Sequence, residues 1–162
     1  LQLLDEVCAQ LKQPKELKKA IENLQTQNKQ LEKELKSARA ELLKGQRRKL
    51  LESAEEINGA NTICQQVDVI SAEELKTLVF ELQKQVDNSV IALGADVNGK
   101  VLHNIAVDDT LTDRFKAGAL VKAAAQHIKG GGGGKPNFAS AGGKNPAGLS
   151  DAMAAIRQAL QT

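Results

Sequence analysis

Residues Lys129–Lys144 read Lys-Gly-Gly-Gly-Gly-Gly-Lys-Pro-Asn-Phe-Ala-Ser-Ala-Gly-Gly-Lys, seven glycines in sixteen residues. Glycine lacks a Cβ, reaches φ > 0 freely and lets backbone N–H groups approach a partner closely. The run Gly130, Gly131, Gly132, Gly133 and Gly134 therefore suits the holding of anionic oxygens. Ordering such a run costs on the order of 1–2 kcal/mol per residue. It is expected as a loop that stays mobile until something binds or is clamped by its surroundings. Pro136, Phe138, Ala139, Ala141 and Gly142-Gly143 follow at once, a continuation too apolar for a solvated tether.

Charge is segregated around this stretch. The chain of 162 residues carries a formal net charge of +2. Residues 1–58 hold 12 Lys+Arg against 10 Asp+Glu, and residues 59–162 hold 10 against 10. From Arg114 to Ser150, however, six basic residues (Arg114, Lys116, Lys122, Lys129, Lys135, Lys144) meet no acidic one, while Asp96, Asp108, Asp109 and Asp113 all precede the window. A basic face beside the glycines is the electrostatic footprint of a phosphate-bearing partner. Lys135, Lys144, Lys129 and Lys122 are the candidate phosphate contacts, with Arg114 and Lys116 at the periphery. His127 is as well placed for a nucleic-acid contact as for packing.

Upstream, the pattern is helical. Leu1, Leu4, Val7, Cys8 and Leu11 describe a short amphipathic helix, which Pro14 stops unless it sits in the first turn of the next. Ile21, Asn28, Leu35 and Leu42 then recur every seven residues, with Leu17, Leu24, Leu31 and Ala38 in the interleaved register. This is a coiled-coil seam of about four heptads, with the amide of Asn28 at a position that selects register or partner number. The seam predicts a rod of roughly 60 Å from a ~1.5 Å rise per residue. It pairs either with preceding sequence or with a second copy of the chain, and the pattern does not choose. Its alternating Lys and Glu suit a solvated, self-paired outer face.

The boundary of the two parts is expected near Asn58-Gly59, giving a helical segment over 1–58 and a compact α/β domain with a mixed sheet over 59–162. In the second part, Thr62–Val67 reads as a strand, and Ser71 with Glu74 forms a capping box opening a helix to about Val86. Asn98-Gly99 joins Ser89–Val97 to Lys100–Val107 in a hairpin with a type I′ turn. A helix over about Thr112–Lys129, a short strand over Asn137–Ala141 and a last helix with Leu149, Met153, Ile156 and Leu160 on one face complete an order β-α-β-β-α-β-α.

Catalysis is not expected from these residues. A phosphate-binding loop over Gly130–Lys135 would need Ser or Thr after the lysine to hold Mg²⁺, and Pro136 stands there. His103 and His127 have no cysteine or carboxylate at ligand spacing, so no metal site is expected. His103, inside the hairpin, is expected to be structural or exposed, and Cys8 and Cys64 are expected as reduced packing residues. No apolar run approaches the roughly twenty residues of a membrane span, so no membrane partner is expected. Without an initiator Met, and with its first residue already in an amphipathic pattern, the chain is expected to be a fragment of a longer cytoplasmic protein.

The sequence Lys116-Ala117-Gly118 with Leu120-Val121, then Gly130 to Lys135-Pro136 and Ala139-Ser140-Ala141-Gly142-Gly143, resembles the DHH-associated domain. That domain stands at the C-terminus of alanyl-tRNA synthetases and in DHH-family phosphoesterases. Leu11-Lys12, Pro14, Leu17, Ile21 and Leu24 before a long charged helix resemble the helical region preceding it in the synthetases. The chain departs from the family motif at Asn137 and Ser140.

The resemblance implies a noncatalytic module that holds the outer corner of alanine-specific tRNA. One bound tRNA then serves the upstream aminoacylation and editing domains, where ATP, magnesium and zinc act. It also implies a helical segment able to support a homodimer. Two other readings stand beside it: an oligomerisation module built on the coiled coil, and the accessory domain of a phosphoesterase. Phe138, the ring inside the glycine motif, is expected to be buried in preference to stacking on a base.

Overall fold

The computed structural model of the chain describes residues 1–12 and 16–162, so the expectation for Pro14 lies outside the described residues. They form two compact units, Leu1–Gly45 and Gln46–Thr162. The first holds α1 (Gln2–Gln10) and most of α2 (Leu17–Glu52), an unbroken helix of 36 residues. In this single chain the apolar seam of α2 faces solvent, with Ile21, Leu24, Leu31, Leu35 and Leu42 all exposed. Asn28 donates from Nδ2 to Glu32 Oε1 at 3.2 Å, one helical turn on.

The second unit begins with the last turns of α2, whose Leu50 is buried. It continues through β1 (Glu55–Ile57), β2 (Ala60–Gln66), α3 (Ala72–Gln83), β3 (Ser89–Val97), β4 (Lys100–Val107), α4 (Ala117–Ala125), β5 (Gly130–Gly134), β6 (Phe138–Gly143) and α5 (Leu149–Gln161). The turn Asn58-Gly59, expected as the boundary, joins β1 to β2. The six strands form one mixed sheet in the order β1-β2-β3-β4-β6-β5. Only β2 and β3 run parallel, and α3 makes the crossover between them. The fold is the expected α+β arrangement of a long helix followed by a mixed sheet with helices.

Strand alternation sends two apolar sets to opposite faces. Val90 and Ala92 of β3 join Val101 and Ile105 of β4 under α4 and α5, in a core with Leu120, Val121, Met153 and Ile156. Ile91, Leu93 and Ala95 point the other way, to Leu75, Leu78, Val79 and Leu82 of α3 and to Leu50. The sheet is thus covered on both sides. On the second side, however, α3 packs chiefly on β3 and β4 and meets β6 where Phe80 stacks on Phe138.

Local signals explain most boundaries. Ser71 Oγ accepts from Glu74 N at 3.1 Å, and the Glu74 carboxylate accepts from Ile70 N at 2.8 Å, so the capping box forms with its return bond one residue upstream. Asn98 and Gly99 adopt φ of 53° and 83°, as the type I′ turn requires.

Three expectations are corrected. The glycine run is not a loop but the edge strand β5. The helix expected over Thr112–Lys129 is only Ala117–Ala125. Thr112 Oγ1 donates back to Asp109 O at 2.8 Å and Phe115 is buried in the core, while Lys129 turns out of the helix at φ 49°. Finally β1, too short to show alternation, adds an unexpected strand.

Candidate nucleic-acid interface

β5 pairs antiparallel with β6, Gly130 opposite Gly143 and Gly134 opposite Ala139. A Cβ on Gly130, Gly132 or Gly134 would fall well inside contact distance of Gly142 O, Ser140 O or Phe138 O of β6, whereas one on Gly131 or Gly133 would meet nothing within 4 Å. The five glycines therefore divide. Three are demanded by close pairing of the backbones, and two are not demanded by packing at all. Among the described glycines, positive φ occurs only at Gly59 and Gly99, so left-handed backbone is not what the run needs.

Gly131 and Gly133 lie on the open side of the sheet, beside Ser140 and Gly142 of β6. A Cβ on Gly142 would meet only Val101 O, at 3.8 Å. Three adjoining clefts of about 460, 410 and 610 Å³ run along this surface. Lys76, Phe80, Lys135 and Phe138 line one end, Lys76, Lys100 and Asn104 the middle, and Lys100, Lys129 and Lys144 the other end. Shared lining residues make them one trough whose floor is bare backbone at Gly131, Gly133 and Gly142. Five lysines line it, and none of its described lining residues is acidic. With no counter-charge in the lining, this surface attracts anions, and its bare backbone admits a ligand closely.

Of the residues singled out in the sequence, Lys129, Lys135 and Lys144 come together here with Gly130–Gly134. The others do not. Lys122 is exposed on α4, across the sheet from the trough. Lys116 precedes α4 beside the β5–β6 turn, where Ala117 N donates to Pro136 O at 2.8 Å. His127 is exposed after α4, and its carbonyl accepts from Asn145 Nδ2 at 2.9 Å. Arg114 donates to Asn58 O and packs 5.2 Å from the Phe115 ring, beside the β1–β2 turn at the opposite edge of the sheet.

Lys76, Phe80 and Lys100 were not singled out in the sequence. Lys76 and Phe80 stand four apart on α3, a helical spacing that puts them on one face. Lys100 reaches the trough only because β4 pairs with β6, Val101 opposite Gly143. Phe138 packs half-buried against the core under α3, in keeping with its expected burial, and its ring also stacks on Phe80.

The titratable groups with displaced affinities lie elsewhere. His103 of β4 is fully buried, and burial pulls its imidazole down to about 4. Gly94 faces it, at a position where a Cβ would crowd both His103 and Leu149. Burial pushes the Cys64 thiol up to about 11, against the opposing influence of Arg157. The amide and hydroxyl of Thr110, with the amides of Asn88 and Ser89, hold the Asp108 carboxyl below its usual range as it caps the turn after β4. These groups shape the fold rather than the trough. Among the described residues no three His, Cys, Asp or Glu side chains gather as metal ligands, and no helix is long and apolar enough to cross a membrane.

The surroundings of the glycine strand match a known domain. The DHHA1 domain profile covers residues 59–162. The chain is 37% identical over 153 residues to the alanine–tRNA ligase of Christiangramia forsetii, covering 93% of this chain and 18% of that protein. It is 34% identical over 164 aligned residues to the ligase of Bacillus pumilus, covering 100% of this chain and 19% of that one. The chain thus spans about a fifth of the length of these relatives, and the match includes the helical segment. The crystal structure of the C-Ala domain from Aquifex aeolicus alanyl-tRNA synthetase superposes with a TM-score of 0.63 at 23% identity, over 68% of this chain and 99% of that domain, which shows the shared fold. The resemblance to the C-terminal region of alanyl-tRNA synthetases therefore runs the length of the sequence, and the chain belongs to the DHHA1 domain family.

Proposed function

We propose that this chain is a noncatalytic, tRNA-binding C-terminal module of an alanine–tRNA ligase. It would hold alanine-specific tRNA for aminoacylation and editing domains upstream in the same protein, in the cytoplasm. The observation that carries this reading is the trough over β5 and β6, lined by five lysines and no described acidic residue, and floored by Gly131, Gly133 and Gly142 where side chains would fit. The outer corner of a tRNA offers phosphates, 2′-hydroxyl groups and exposed nucleotides, which are recognised by shape, charge and close approach. The identity shared with alanine–tRNA ligases along both parts of the chain supports the choice of nucleic acid.

The experiment is a titration of the chain with tRNA. Gly131→Ala combined with Gly133→Ala leaves the charge and the packing unchanged but raises the floor, so affinity should drop while thermal stability holds. Parent-like binding by this variant at every salt concentration would show that the glycines are not a contact surface.

The exposed seam of α2 favours a second role beside this one. A second copy of the chain would cover Ile21, Leu24, Leu31, Leu35 and Leu42 and pair the Asn28 amides, making the module a dimer.

A further inference from the structure

Phe80 is an aromatic ring left 36% exposed in a chain with only three phenylalanines and no Trp or Tyr. It stacks on Phe138 of β6, with ring centroids 5.0 Å apart and planes 24° from parallel. Lys76 Nζ lies 5.9 Å from the Phe80 centroid and 5.6 Å from that of Phe138. Two distances so nearly equal place the ammonium beside the pair. An ammonium over the outer face of either ring would stand much farther from the other. The cation therefore does not cap the outward face of Phe80. That ring and both Lys76 and Lys135 border the same cleft, together with Gly133 and Ser140.

An exposed ring flanked by cations beside a bare backbone floor is the arrangement that receives an unstacked base with its phosphates. Bases inside a duplex already stack on their neighbours and cannot offer a face in this way, so the occupant is a single-stranded or loop nucleotide. We infer that Phe80 is the seat for one unpaired nucleobase of a bound RNA, with Phe138 fixing the ring from behind and Lys76 and Lys135 taking the adjacent phosphates. This rests on the reading of the trough as an RNA-binding surface. It adds a contact on α3 that neither the glycine motif nor the basic window of the sequence indicates.

The test uses the full chain and a short oligouridylate, compared with oligomers made abasic at one position at a time and with an RNA duplex. Phe80→Leu keeps an apolar contact for Phe138 but removes the ring face. It should fold as the parent does, weaken oligouridylate binding about 5- to 150-fold, as loss of one stacked base does, and leave the salt slope unchanged. One abasic position should cost the parent a comparable factor and cost the Phe80→Leu variant nothing further. Lys76→Ala should instead flatten the salt slope by about one unit. Parent-like binding by Phe80→Leu, equal additive losses from the abasic position in both proteins, or a duplex bound more tightly than the oligomer would each overturn the stacking seat. If Phe80→Leu still binds tRNA with parental affinity and salt dependence, the stacking inference fails while the tRNA-binding function stands. If the parent binds neither tRNA nor the oligomer, both fall.

Discussion

At the residue scale, the clearest lesson is that identical glycines do different work. Gly132→Ala should destabilise the second unit by about 1–3 kcal/mol or more, because its Cβ has no room against Ser140 O and Ala141. Gly131→Ala and Gly133→Ala should change stability by no more than about 0.5 kcal/mol, since each Cβ enters open space. Urea unfolding of the three variants checks both. No reading of the sequence separates these positions, for an alternation made only of glycine carries no pattern. His103 offers a second residue-scale test. Its imidazole titrates near 6.5 when unfolded and at about 4 when folded, so the unfolded chain binds the proton more tightly. Stability is therefore full above about pH 6.5 and is lost as pH falls toward 4, by about 3 kcal/mol from this group. Urea midpoints across that window should fall more steeply for the parent than for His103→Leu. Parallel curves would show that the buried imidazole does not drive the loss.

At the element scale, what was legible in the sequence was what local chemistry decides. Asn98-Gly99 fixed the hairpin through its turn, Ser71 and Glu74 fixed the start of α3, and the spacing of Leu149, Met153, Ile156 and Leu160 fixed the buried face of α5. What was not legible depended on partners distant in sequence. β5 is a strand because β6 lies beside it, and α4 starts late because Phe115 is drawn into the core. The site was half legible for the same reason: Lys129, Lys135 and Lys144 flank the motif in sequence, whereas Lys76 and Lys100 arrive through α3 and the β4–β6 pairing. Lys135→Ala and Lys144→Ala at the two ends of the trough should each weaken tRNA binding and flatten its salt slope by roughly one unit. Lys122→Ala, on α4 across the sheet, should change the slope little, and a larger effect there than at Lys135 would move the contact surface to α4. In α2, Asn28→Leu should raise thermal stability of the self-associated helix and broaden its oligomer distribution in sedimentation. Identical monomers for parent and variant would show that the seam is not a self-association surface.

At the scale of the whole molecule, a net charge of only +2 conceals an anion-attracting trough, because the charges are sorted in space as well as in sequence. Non-local strand pairing gathers lysines from α3, β4 and both ends of the glycine hairpin onto one side of the sheet. The opposite side is covered by α4 and α5, while on the trough side α3 covers β3 and β4 with a second core and its flank borders the trough. The most direct test of that surface as a polyanion site is tRNA affinity of the chain as a function of salt. If four to five lysines meet phosphates, affinity should fall on the order of 10²-fold between roughly 50 and 200 mM salt, at about −0.7 to −0.9 log units per contact. A chain that does not bind tRNA, or binds it with no dependence on salt, would contradict the assignment of the trough.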